Sequence, residues 1–227
     1  MKRVGVLASG GGSNLQAILE YLAELGPQAQ AEVVVVASDR PQSGALVKAR
    51  AAGIEAVALK DRIPDEEEFN ALFDEWRVDY IALAGYLRLI PEAIVDRFKD
   101  RMLNVHPALL PKHGGPGMYG LRVHQAVLNA HEKVTGPTVH LVTHEYDSGP
   151  MLAQWPVGVL PEDDAPAVAA RVLVAEHALY PRVLHALAAG EADRFPLRPD
   201  DGYYANPPIT PDQIRRDILG AFGADSG

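Results

Sequence analysis

Short apolar runs alternate along the chain with segments whose apolar residues return every three or four positions. Val4 to Ala8, Glu32 to Ser38, Ile54 to Leu59 and Tyr80 to Ala84 read as strands. The second is almost continuous valine, as a strand covered on both faces requires. Between them, Asn14 to Leu25 carries Leu15, Ile18, Leu19, Leu22 and Leu25 on one helical face. Ser43 to Ala52 predicts a helix closed by Gly53. Glu66 to Trp76 predicts another, with the acidic run from Asp65 to Glu68 at its N-terminus. Pro91 to Phe98 reads as a short helix with proline at its first position. A further apolar run ends at Leu103-Asn104-Val105-His106 and breaks at Pro107 and Pro111. Val123 to Ala130 predicts a short helix. Thr135 to Thr143 and Met151 to Val159 predict two strands joined by a hairpin. Ala165 to Leu187 is a long helix with Val168, Val172, Ala175, Leu179, Val183 and Leu187 inward. The alternation predicts an α/β fold of three layers: a mostly parallel twisted sheet, Rossmann-like, with helices on both faces and an antiparallel strand in the C-terminal half.

In open α/β sheets the ligand crevice lies beyond the carboxyl ends of the strands. Asn104 and His106 occupy such an end and, two residues apart in an extended segment, point the same way. Together they can donate hydrogen bonds to one oxygen, and the imidazole can also move a proton. Equally, such a pair can simply tie down the next loop. The turn Ser9 to Ser13 joins a strand to a helix, so Gly12, Ser13 and Asn14 form either an anion site or a plain tight turn, with Ser13 or Asn14 as helix cap. A dinucleotide fingerprint fits less well. The last glycine of that pattern is missing, and Asp39 comes 27 residues after Gly12. Leu87, Arg88, Leu89 and Ile90 follow the fourth strand and serve as core anchors or as the lip of an apolar pocket. Lys112 to Gly120, with four glycines and a proline, is a loop suited either to gating or to a passive insertion. Asp147-Ser148-Gly149 is ordinary turn chemistry, and Glu176 reads as a solvated or helix-pair charge.

Taken jointly, three segments resemble the folate-dependent formyltransferases: Asn104 to Pro111, Gly136-Pro137-Thr138-Val139-His140, and Asp147 to Pro150. The likeness begins at Val4 and runs to about Gly190. It implies transfer of a formyl group from 10-formyltetrahydrofolate, a co-substrate, to the amine of a phosphoribosylated glycinamide. The catalytic residues implied are Asn104, His106 and Asp147, with His140 and Thr138 behind them. Gly12, Ser13, Asn14 and Glu176 would bind the acceptor, its phosphate at the glycine turn. Leu87, Arg88, Leu89, Ile90, Asn104, Thr143 and Asp147 would bind the folate. Asp147 is expected to raise the His106 pKa. Relatives often carry an arginine near the start of the helix at Glu66, and here only Lys60 and Arg62 lie close. The implied organisation is one domain over residues 1–190, with a phosphate-binding half at 1–102 and a catalytic and folate half at 103–190. Residues 191–227 are expected to pack along the surface, with one weak helix at Pro211 to Phe222. Related deformylases add an N-terminal regulatory domain and related methionyl-tRNA formyltransferases a C-terminal barrel. Neither addition is expected in this sequence.

Composition narrows the partners. The 227 residues suffice for one large domain, and a formal net charge of −9 lacks the footprint of a nucleic-acid binder. The absence of cysteine excludes disulfides and thiolate ligands, and the scattered histidines show no paired-ligand spacing, so no metal is implied. No apolar stretch is long enough to span a bilayer. The expectation is a cytoplasmic enzyme, monomer or homodimer, acting on small molecules without a nucleic-acid or membrane partner.

Overall fold

In the computed structural model, which describes residues 1–60, 65–191 and 201–223, the strands are β1 (Lys2–Leu7), β2 (Ala31–Ser38), β3 (Glu55–Ala58), β4 (Tyr80–Leu83), β5 (Met102–His106), β6 (Val134–Thr135), β7 (Thr138–Leu141), β8 (Met151–Gln154) and β9 (Val157–Gly158). The helices are α1 (Ser13–Leu25), α2 (Gly44–Ala51), α3 (Glu66–Glu75), α4 (Glu92–Arg97), α5 (Leu121–Asn129), α6 (Ala165–Ala188), α7 (Asp201–Ala205) and α8 (Pro211–Ala221). Seven strands form one sheet in the order β3-β2-β1-β4-β5-β7-β8. The first five are parallel, β7 runs antiparallel to both its neighbours, and β6 and β9 pair separately. This is the expected mostly parallel sheet with antiparallel pairing in its C-terminal half.

Alternation along each strand divides the core between two faces. Val4, Val6, Ala82, Leu103 and Val105 join one apolar cluster with Leu15 and Ile18 of α1, Leu46 of α2 and Val172 and Leu179 of α6. Leu7, Ile81, Leu83 and Met102 join the other, against Phe69 and Phe73 of α3 and Ile94 of α4. Strand order reverses at β1 and β4: the chain leaves β1 toward β2 on one side and leaves β4 toward β5 on the other. The loops beyond these two strands therefore part and leave a crevice, the usual ligand position in such sheets. Ser9 ties the two loops together, its N–H donating to the Gly85 carbonyl at 3.0 Å and its Oγ accepting from Leu87 N–H at 3.1 Å.

Several local expectations are corrected. The two C-terminal strands are each cut in two, at Gly136-Pro137 and Trp155-Pro156, because proline cannot donate to a ladder. Pro91 is the N-cap of α4 rather than its first residue, extended at ψ 138°. Neither Ser13 nor Asn14 caps α1. Gly12 does, with φ 72°, and a Cβ there would stand 2.7 Å from Ala45 Cα, so α1 and α2 meet at a point only glycine fits. The tail is more than a surface covering: α8 has a capping box at Thr210 and Gln213 and seats Ile214 and Ile218, both fully buried, in the first core cluster. Arg62, one of the two basic residues near α3, lies outside the described residues. No described helix is long and apolar enough to cross a membrane.

An Ile218→Ala variant will lose about 2–4 kcal/mol of unfolding free energy in urea, the usual cost of emptying a fully buried aliphatic site. A loss near zero would show that α8 stands outside the cooperative core.

Candidate active site

The pairing of β5 with β7 builds the centre of the site. Asn104 lies opposite His140 and His106 opposite Thr138. Partners directly across an antiparallel pair share a face, so the four side chains meet. Asp147, in the turn between β7 and β8, adopts a left-handed φ of 54°. Its Oδ2 lies 3.4 Å from His106 Nδ1 and its Oδ1 3.5 Å from both Asn104 Nδ2 and His140 Nε2. His140 turns its Nδ1–H to the Leu141 carbonyl at 2.8 Å, which leaves Nε2 to accept from Asn104 Nδ2 at 3.1 Å. Thr138 holds the chain beyond His106: its Oγ1 donates to Ala108 O at 2.7 Å and accepts from Leu110 N–H at 3.0 Å. Thus Asn104, His106 and Asp147 come together, with His140 and Thr138 supporting them.

The loop between β5 and α5 closes on this group. His106 Nε2–H donates to the His113 carbonyl at 2.8 Å, and Gly115 N–H donates to Asp147 Oδ2 at 2.9 Å. A Cβ on Gly114 would stand 3.2 Å from Asp147 Cβ and 2.5 Å from Leu110, so the contact needs glycine there. The group that His113 contributes is a backbone carbonyl, which sequence does not display.

Burial lowers the His106 pKa below the ordinary histidine value; Asp147 and the His113 carbonyl pull upward without overcoming it. Asp147 thus raises the pKa as expected, and burial outweighs it. For Asp147 itself, burial acts to raise the pKa, but the neighbouring His140 and His106 rings and the Gly115 N–H hold it below the usual aspartate range. The pair is thus a carboxylate beside a neutral imidazole that donates at Nε2 and can take a second proton at Nδ1.

From this group a cavity of about 420 Å³ extends past Tyr86 and Leu87 to Asn14 and Glu176. Asn14 Nδ2 donates to Glu176 Oε2 at 2.6 Å. The carboxyl is buried, and burial pushes its pKa up to about 7. Sequence alone made Glu176 a helix-pair charge. Its burial follows from α6 lying across the strand ends, where the Tyr180 hydroxyl is shared by the Leu83 and Leu103 carbonyls at 3.0 and 3.1 Å. His124 also lines the cavity, buried and with Nδ1 unpartnered, and burial lowers its pKa to about 4. Arg88, Leu89, Ile90 and Thr143 instead line a smaller recess behind Asn104, His140 and Asp147. The Arg88 side chain turns away to the buried Asp39 at 3.1 Å, and Thr143 Oγ1 meets Ser148 Oγ at 2.9 Å. Gly12 and Ser13 do not line the main cavity. Among the described residues no cluster of His, Asp or Glu has the arrangement of a metal site.

Below pH about 4.5 the Glu176 carboxyl keeps its proton whether the chain is folded or not. Between there and pH about 7 the unfolded carboxyl ionises while the folded one does not, so its contribution to stability is lost as pH rises. Glu176→Gln removes that loss. Relative to wild type, the variant will gain on the order of 2–4 kcal/mol in unfolding free energy from pH 4.5 to 7.5. A pH-independent difference would mean that Glu176 ionises in the folded protein as it does in water.

Comparison with known proteins agrees with this geometry. The profile of the formyl transferase family matches residues 2–184. The chain is 40% identical over 192 residues to the chloroplastic phosphoribosylglycinamide formyltransferase of Arabidopsis thaliana, covering 82% of this chain and 65% of that one. It is 37% identical over 190 residues to phosphoribosylglycinamide formyltransferase of Escherichia coli K12, covering 82% and 86%. The chain thus spans just under two thirds of the plant relative. The crystal structure of phosphoribosylglycinamide formyltransferase from Anaplasma phagocytophilum superposes with a TM-score of 0.76 at 34% identity, covering 83% of this chain and 87% of that one. With sequence, fold and the Asn104–His106–Asp147 cluster in agreement, the chain belongs to the formyl transferase family.

Proposed function

We propose that the protein transfers the formyl group of 10-formyltetrahydrofolate to the amine of N1-(5-phosphoribosyl)glycinamide, a step of de novo purine (IMP) biosynthesis, releasing tetrahydrofolate. The observation that carries the reading is the convergence of Asn104, His106 and Asp147 at one end of a cavity whose other end holds Asn14 and Glu176. The names of the relatives that match most of this chain support it.

The amine attacks the formyl carbon and the formyl oxygen takes up negative charge. Two donors are placed for that oxygen: the Asn104 amide, held by His140, and the His106 imidazole. The His106 Nε2–H that meets the His113 carbonyl is the donor the reaction redirects to the formyl oxygen, which gives the 112–120 loop a gating part. The amine proton passes by way of Asp147 to His106 Nδ1, where the carboxylate stabilises the imidazolium, and then to the departing folate nitrogen, directly or through water, as the bond between that nitrogen and the formyl carbon breaks. Glu176, paired with Asn14 and poised near neutral pH, receives the acceptor's ribose hydroxyls or its amine. Leu87 and the backbone of Arg88, Leu89 and Ile90, with Thr143, form the folate side; Gly12 and Ser13 take the phosphate end. No activated nucleophile is needed because the formyl group passes directly. The reading includes a cytoplasmic enzyme working on small molecules, as monomer or homodimer.

The decisive assay follows release of tetrahydrofolate from 10-formyltetrahydrofolate with and without the ribonucleotide. Turnover will require the ribonucleotide. His106→Ala, Asn104→Ala and Asp147→Asn will each lower kcat by about 10²–10³, the range for losing one preorganised donor or charge. Release with water alone as acceptor would make the protein a hydrolase, and variants as active as wild type would remove the proposed centre.

A further inference from the structure

Asp147 reaches the centre from a turn that is tied firmly to itself and sparsely to its surroundings. Within the turn, Thr143 Oγ1 meets Ser148 Oγ at 2.9 Å, and the Ser148 hydroxyl donates to the Glu145 carbonyl at 3.2 Å. A Cβ on Gly149 would collide with the Leu141 carbonyl, so the chain folds back closely on itself. These ties make the turn one small body. On its α4 side it faces a cleft of about 410 Å³, with Val95 and Asp96 on one wall and Thr143, His144 and Glu145 on the other. Asp147 meets His106 at 3.4 Å and both Asn104 and His140 at 3.5 Å, the outer limit of hydrogen bonding, so a small tilt of the turn makes or breaks all three contacts.

We propose that His144 is a positioning residue: its bond to Asp96 of α4 is the strut that holds the turn, and with it the Asp147 carboxylate, at the distance the reaction needs. The inference rests on the formyl-transfer reading for what Asp147 does, and on the turn alone for the strut. His144 Nε2–H donates to Asp96 Oδ1 at 2.9 Å, bridging the cleft that both residues line. Among the described residues it is the one hydrogen bond from residues 143–149 to the rest of the protein, apart from those of Asp147 itself. The base of the strut is firm. Ile94, Val95 and Phe98 bury α4 in the second core cluster, and Arg97 pairs with Asp74 of α3. Lys99, Asp100 and Glu145 also line the cleft, yet the ion pair that forms there is His144 with Asp96. A carboxylate only accepts, so the ring donates whatever its own charge. The two side chains are 44% and 69% exposed, and water weakens such a bond, which limits its hold on the turn to about fivefold in the population of the productive position.

The test reads the position of Asp147 in two ways on the full chain. In turnover, His144→Ala and Asp96→Ala will each lower kcat about three- to fivefold, well short of the loss in Asp147→Asn, and leave KM for the acceptor in place. The double variant will be no slower than either single one, because both remove the same bond. His144→Gln, whose amide can donate from the same place, will recover most of the rate. Unfolding temperatures will match wild type, since both side chains lie at the surface. The second readout needs no substrate: NMR titration of the His106 ring. Asp147 favours its protonated form against burial and the neighbouring His140, His113 and His124 rings, so a displaced carboxylate will move the titration to lower pH in both alanine variants. Unchanged kcat, an unmoved His106 titration in either variant, or losses that add in the double variant would each overturn the strut. A wild type without transferase activity would end the transferase reading. The His106 titration would then decide the strut alone, a shift in both variants keeping it and an unmoved ring removing it.

Discussion

The register between β5 and β7 is the constraint on which the site depends. It sets Asn104 against His140 and His106 against Thr138. A slip of β7 by one residue would turn Thr138 and His140 to the opposite face, into the apolar cluster that Leu103, Val105 and Val139 fill. The register is secured on both sides. Thr138 and Gln154 grip the chain beyond His106, with Gln154 Nε2 donating to Leu110 O and to Thr138 Oγ1, both at 2.9 Å. Tyr180 grips the neighbouring ends of β4 and β5 from α6. The antiparallel turn after β7 then brings Asp147 back over the same strand end. An all-parallel sheet would have carried the chain away into a crossover helix, so the change of strand direction is what lets two successive segments share one site.

Electrostatics at that site is a balance between burial and pairing. Burial drives His106 toward neutrality and also acts to raise the Asp147 pKa. The Gly115 N–H and the neighbouring histidine rings keep the carboxylate ionised, and the carboxylate keeps His106 within reach of a second proton. A neutral imidazole is the form that can take a proton, and an ionised neighbour is what makes the protonated form bearable in a dry setting. The loop carrying His113 to Gly115 takes part in this balance through its backbone, so its position affects both residues.

Much of this was legible in the sequence. The period of the apolar positions yields the parallel strands and their helices, and Asn104, His106 and Asp147 stand in segments whose resemblance to the formyltransferases marks them together. What sequence did not display shares one physical cause: it depends on what packs over a residue. Glu176 reads as a surface charge because helical phase sets it at the border of an apolar face, and only the crossing of α6 over the strand ends buries it. The His113 carbonyl and Gly115 N–H are backbone groups, which every residue has. Asp39 reads as the weak acid of a dinucleotide motif, yet its carboxylate is buried in an ion pair with Arg88. The buried face of α8 spans only Ile214 and Ile218, too short a pattern to distinguish a core helix from a fraying tail.

The tail shows how stability and the placement of charge come to share an element. A helix of eleven residues is marginal alone, and α8 persists because its cap and its two buried isoleucines hold it to α6. Once held, the rest of its surface is fixed in place, and Arg215 is carried to a cleft whose other cations come from the body. The reaction cavity itself gains by this division. Its described walls carry no lysine or arginine, so no fixed cation in that lining competes with a protonated His106 for the Asp147 carboxylate, while Lys48 of α2 and Arg215 of α8 line the neighbouring cleft. The titrating groups and the fixed cations thus stand in separate cavities, each with its own surroundings. In this fold the separation comes from adjoining residues on α1 and α6, Asn14 with Glu176 toward one cavity and Ser13 with His177 toward the other.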